Sequence, residues 1–126
     1  MEEITNIIPQ ARRLTLRRMR LRVEDGAAAG LEFSSDRDII RLGAASHNDV
    51  VLRDDTGSRN HAEIVRTEDG VLLRDRGATN GTFVGPIRVR EVYLPEVQRF
   101  RLGRTEITFE SADEVVDIVP TQEDRL

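Results

Sequence analysis

The sequence predicts an all-β fold, a two-sheet antiparallel β-sandwich of about eleven strands. Three observations lead there. Apolar residues recur in short runs of strand length, turn residues interrupt the runs at regular intervals, and the body shows no apolar stripe of helical period.

Taken in order, the first run is Leu14 to Val23. Met19, Leu21 and Val23 alternate with Arg18, Arg20 and Arg22, the period of a half-buried strand. Arg12, Arg13 and Arg17 add to this basic crowd, which reads as a solvated strand face that discourages edge pairing rather than as a nucleic-acid patch. After a break at Asp25-Gly26 come Leu31 to Phe33, Ile39 to Leu42, Val50 to Leu52 and Ala62 to Val65. Asp69-Gly70, between Ala62–Val65 and Val71–Leu73, is the strongest hairpin signal in the chain. Beyond Gly77 the runs are Thr82 to Val84, Ile87 to Val89, Val92 to Leu94, Phe100 to Leu102 and Glu106 to Phe109, broken at Gly85-Pro86, Pro95 and Gly103. The sandwich is thus expected over residues 14–110, with a tail or edge strand at 1–13 and an acidic linker at 111–126.

Composition bounds the function. The chain has 126 residues, 38% hydrophobic and 33% charged, enough for one core. Cysteine is absent, which removes disulfides and thiolate metal sites and fits a reducing compartment. No apolar stretch has the length of a membrane span, and Met1-Glu2-Glu3 is acidic where a secretion signal is basic, so a cytoplasmic location is expected. A net charge of −4 argues against direct nucleic-acid binding. All 19 basic residues are arginine, so P-loop and Schiff-base lysines are excluded.

Two polar clusters stand at the mouths of strand-like runs: Ser58-Arg59-Asn60-His61 and Thr79-Asn80-Gly81-Thr82. Two hydroxyls, a guanidinium and a carboxamide make an inventory for an anion, and the guanidinium fork suits phosphate best. Asn80 carries both donor and acceptor and can hold the backbone of an extended peptide. The chemistry implied is recognition without reaction. Asn80-Gly81 taken alone is an ordinary tight turn, and Ser58 with His61 lacks a Gly-x-Ser-x-Gly elbow, so no catalytic residue is assigned. His47 and His61, with Asp49, Asp54 and Asp55 nearby, form no recognised metal loop, and neither metal nor cofactor is expected. Asp54-Asp55 reads as a solvated turn.

From Arg41 to Phe109 the chain resembles a forkhead-associated (FHA) domain. The likeness runs through Leu42-Gly43, Asn48-Asp49-Val50-Val51-Leu52, Ser58-Arg59-Asn60-His61-Ala62, Leu73-Arg74-Asp75, Ala78-Thr79-Asn80-Gly81-Thr82-Phe83-Val84 and Leu102-Gly103, with Ile107 and Phe109. The resemblance implies a β-sandwich that binds phosphothreonine peptides through loops at one end. Ser58 and Thr79 would hydrogen-bond the phosphate, Arg59 would flank it and Asn80 would hold the peptide backbone. Gly43, His61 and Gly81 would support the loops, and the carboxylate of Asn48-Asp49 would satisfy loop N–H groups. One departure stands out: Ala44 occupies a position where the family commonly has an arginine that contacts phosphate. A lost charge-assisted bond weakens binding by about 1.5 to 3 kcal/mol, so Arg59, Arg41 or Arg53 would have to supply the charge, or the domain serves as a phosphate-independent interaction or oligomerisation module.

The partner implied is a phosphothreonine-containing protein, with no membrane. A domain of this kind followed by the acidic exit Val115-Val116-Asp117-Ile118-Val119-Pro120 resembles the sensory front of bacterial sigma-54-dependent transcription activators, so the chain reads as the front of a longer regulator. Thr121, with Asp124 three residues on, offers a modified tail through which self-association would proceed.

Overall fold

The computed structural model describes residues 12–53 and 58–118. They form thirteen strands: β1 (Arg12–Leu16), β2 (Met19–Val23), β3 (Glu32–Ser35), β4 (Ile39–Gly43), β5 (Val50–Val51), β6 (Ala62–Thr67), β7 (Gly70–Asp75), β8 (Thr82–Val84), β9 (Ile87–Val89), β10 (Glu91–Leu94), β11 (Val97–Leu102), β12 (Thr105–Ser111) and β13 (Glu114–Ile118). A five-stranded sheet of order β10-β7-β6-β4-β5 faces a six-stranded sheet of order β3-β2-β12-β11-β8-β9. Every pairing is antiparallel except the short β4–β5 pair, which is parallel.

The core lies between the sheets. Ile40, Leu42, Ala62, Ile64 and Leu73 pack from one side, and Met19, Leu21, Val23, Phe100, Leu102, Ile107 and Phe109 from the other. Alternation puts them there: β2 buries Met19, Leu21 and Val23 and exposes Arg20 and Arg22. The apolar–arginine period of this segment is therefore a sheet face.

Two features depart from the eleven expected strands. The run Leu14 to Val23 is split at Arg17-Arg18 into β1 and β2, because β1 leaves the sandwich to pair with β13 in a separate ribbon, from Arg12↔Ile118 to Leu16↔Glu114. Residues 114–118, read from the sequence as linker, are thus a strand in which Val116 lies opposite Leu14, Val115 opposite Thr15 and Glu114 opposite Leu16. The β6–β7 hairpin turns on Glu68-Asp69, one residue earlier than Asp69-Gly70. Gly70, at φ 138°, pairs with Thr67, whose hydroxyl donates to the Gly70 carbonyl (2.9 Å) and accepts from Asp69 N–H (3.1 Å).

No helix of the described residues is long and apolar enough to cross a membrane. Residues 1–11, Asp54-Asp55 and Thr121 with Asp124 lie outside the described residues, so the expectations attached to them stay with the sequence.

Candidate functional site

Sheet register gathers several loops at one end of the sandwich. Leu42 pairs with Ala62 and Ala62 with Asp75, so the chain after β4, before β6 and after β7 emerges at one level. On the facing sheet Thr82 pairs with Leu102, which brings the start of β8 and the end of β11 to the same rim.

Hydrogen bonds then lock these loops together. Ala44 N–H donates to the Ser58 carbonyl (2.9 Å) and Ala45 N–H to the Arg59 carbonyl (3.2 Å). The Asn48 carboxamide donates to the carbonyls of Arg59 (2.7 Å) and Ala45 (3.0 Å). Gly43 sits beneath this contact, where a Cβ would collide with the Arg59 carbonyl and come within 2.8 Å of Asn48 Nδ2. Only a residue without a side chain lets the two segments approach so closely.

His61 joins the two polar clusters. It is 1% exposed, its Nε2–H donates to the Gly81 carbonyl at 2.9 Å, and its own carbonyl accepts from Arg76 N–H at 2.8 Å. A buried imidazole whose Nε2–H is spent on a main-chain carbonyl acts as a brace between the two segments. Among the described residues no group of three or more His, Cys, Asp or Glu is placed to hold a metal ion.

Asp75 organises the second cluster. One carboxylate oxygen accepts from Gly77 N–H (2.9 Å) and Ala78 N–H (3.2 Å), and the other accepts from the Thr82 hydroxyl (2.7 Å). Thr82 is fully buried, so its hydroxyl faces the protein. Gly81, at φ 80°, closes the turn by donating to the Ala78 carbonyl (3.2 Å) and is tied to the neighbouring loop through Gly103 N–H (3.0 Å to the Gly81 carbonyl). That φ is one that glycine adopts without the Cβ penalty.

The result is a division of labour. Gly43, His61 and Gly81 are buried, Ser58 and Ala44 are half-buried, and Arg59, Thr79 and Asn80 are exposed on the rim. The sequence-predicted residues lie on loops that the structure joins through His61 and Gly81. Arg41 and Arg53 are exposed, with Arg41 N–H bonded to the Asp49 carboxylate at 2.8 Å. Asp49 thus satisfies a strand N–H, contrary to the expectation that it serves the loop, because the parallel β4–β5 pair folds the 44–49 connection back beside β4. The loop-bracing amide is Asn48. A further residue escaped sequence reasoning: Arg88 on β9 donates to the carbonyls of Ala78 (3.3 Å) and Thr79 (3.4 Å), a placement that depends on β8–β9 pairing. Asn60 is also engaged, with its Oδ1 2.6 Å from His47 Nε2.

A sandwich that carries its polar, exposed groups on braced loops at one end belongs to the class of loop-based recognition domains. Residues 22–113 match the family model of the cytoplasmic domain of the inner membrane component of T3SS (Yop-YscD). Among curated relatives the chain is 36% identical over 70 residues to the ABC transporter ATP-binding/permease protein Rv1747 of Mycobacterium tuberculosis, covering 56% of this chain and 8% of that one. It is 30% identical to the FHA domain-containing protein FhaB of Mycolicibacterium smegmatis, covering 81% of this chain and 66% of that one, and so spans less than two thirds of either relative. An FHA domain solved in a structural and functional analysis of phosphothreonine-dependent interactions is 30% identical, with a TM-score of 0.66 and coverage of 74% of this chain and 95% of that one. The chain belongs to the forkhead-associated family, and over residues 22–113 to its Yop-YscD cytoplasmic-domain relatives.

Proposed function

We propose that this chain is a non-catalytic recognition domain for phosphothreonine-containing peptides in bacterial signalling. One observation carries most of the weight: the His61–Gly81 hydrogen bond, which ties the segment bearing Ser58 and Arg59 to the turn bearing Thr79 and Asn80. In this reading Ser58 and Thr79 donate hydroxyls to the phosphate, Arg59 supplies charge beside it, and Asn80 holds the peptide backbone. The phosphothreonine-dependent FHA structure described above supports the ligand class.

Calorimetric titration with phosphothreonine peptides and their unphosphorylated twins tests the proposal. Binding confined to the phosphorylated members is the expected result. Equal or absent binding to both across a peptide library rejects it.

Ala44 favours a second reading, a phosphate-independent interaction or oligomerisation module on the same scaffold. Its N–H bonds the Ser58 carbonyl, so an arginine at this position would start beside the proposed phosphate subsite. Ala44→Arg separates the two. With the pocket intact it raises phosphopeptide affinity about tenfold or more, the effect of one charge-assisted bond; with the surface repurposed it changes nothing.

Two finer readings go with the first. Placement of the domain at the front of a sigma-54-dependent activator rests on the acidic exit segment alone, and a gene product without an ATPase domain refutes it. Self-association through a phosphorylated Thr121 is tested by sedimentation after kinase treatment, and a phosphorylated monomer removes it.

A further inference from the structure

The outer face of the six-stranded sheet carries a rung that runs directly into the turn at Asn80-Gly81. Phe83 on β8 is flanked across the sheet by Arg88 on β9 and Arg101 on β11, and the alternation of β11 between buried Phe100 and Leu102 sends Arg101 outward. The Arg101 guanidinium lies 4.2 Å above the centre of the Phe83 ring, with NH1 donating to the Gly103 carbonyl at 2.6 Å. Arg88, paired with Phe83 from β9, donates to the Ala78 and Thr79 carbonyls. A Cβ on Gly81 would lie 2.7 Å from Arg88 Nε and 3.0 Å from Phe83 Cε2, so the rung packs against the backbone next to Asn80.

Carbonyl oxygens and a ring face orient these two cations without neutralising them. Among the described residues, the ion pairs on this face fall on its β2 side, Arg20 to Glu110 (3.6 Å) and Arg22 to Glu24 (3.8 Å). Glu106, across from Arg101 on β12, makes no ion pair with it among those residues. The net charge of the chain is −4, so this fixed pair of guanidiniums is a local reversal of sign beside the proposed peptide path.

We propose that the Arg88–Phe83–Arg101 rung is a second subsite that selects peptides with aspartate or glutamate adjoining the phosphothreonine. The inference rests on the phosphopeptide reading above and specifies its substrate class. A peptide backbone held at Asn80 passes next to Gly81, and carboxylates there meet two pre-oriented forks.

The test compares a phosphothreonine peptide with neutral flanks, the same peptide with three acidic residues on either side in turn, and the unphosphorylated twin of each. In the wild-type domain an acidic flank on one side raises affinity about five- to tenfold, the yield of two partly desolvated ion pairs, and the gain shrinks as salt rises from about 0.05 to 0.5 M. The readout in each variant is the ratio of acidic-flank to neutral-flank affinity, which cancels any general effect on the loops. Arg88→Gln reduces the ratio two- to threefold and Arg88→Gln with Arg101→Gln brings it to about one, whereas Arg88→Lys retains most of it. No wild-type gain, or a ratio unaltered by Arg88→Gln, overturns the inference. Should Arg101→Gln prevent folding, Arg88→Gln alone decides. If the neutral phosphopeptide binds no better than its twin, the phosphopeptide reading itself fails.

Discussion

His61 shows how much one side chain can decide here. Its imidazole is buried and its Nε2 proton satisfies the Gly81 carbonyl, so His61→Ala removes a brace and orphans a buried acceptor. The expected loss is about 2 to 3 kcal/mol of stability, measured by chemical denaturation, with amide shifts reaching both 58–60 and 79–81. Gly43→Ala costs about 2 kcal/mol or more, because the new Cβ meets main chain rather than a yielding side chain. The candidates Ser58, Arg59, Thr79 and Asn80 could be nominated from the sequence because they sit in two compact clusters whose donors and acceptors share one chemistry. Asn48 and Arg88 were not. Their roles are set by a carbonyl eleven residues away and by pairing across β8 and β9, neither of which leaves a local pattern.

Among the elements, the turn between β7 and β8 depends most on a single carboxylate. Asp75 holds the N–H groups of Gly77 and Ala78 and the buried Thr82 hydroxyl together, so Asp75→Ala leaves three donors without their acceptor. A loss of about 2 kcal/mol follows, with faster amide exchange confined to 76–82 and, under the proposed function, weaker phosphopeptide binding. Asp75→Asn keeps one acceptor oxygen and is expected to fall between. The β1–β13 ribbon behaves differently. It stands apart from both sheets, and Leu14, Val115 and Ile118 remain 44%, 64% and 45% exposed. Val116→Asp therefore unpairs the ribbon and exposes its amides to exchange, while the denaturation midpoint of the sandwich moves by the equivalent of less than about 0.5 kcal/mol.

For the molecule as a whole, alternation and turn chemistry disclosed the sandwich, since β2, β11 and β12 each bury every second side chain. What they withheld was sheet order. The 44–49 connection joins a parallel pair with no crossover helix to announce it, and the ribbon pairs residues about a hundred positions apart. The same remoteness explains why the meeting of the two clusters was an expectation until Leu42, Ala62 and Asp75 were seen in register.

That ribbon also fixes how the domain is attached to anything else. Leu16 and Glu114 lie opposite each other where the chain enters and leaves the sandwich, so both connections run side by side as one stalk. A pull applied between Arg12 and Ile118, which are paired at the far end of the stalk, would peel it open one rung at a time before any load reached the sandwich.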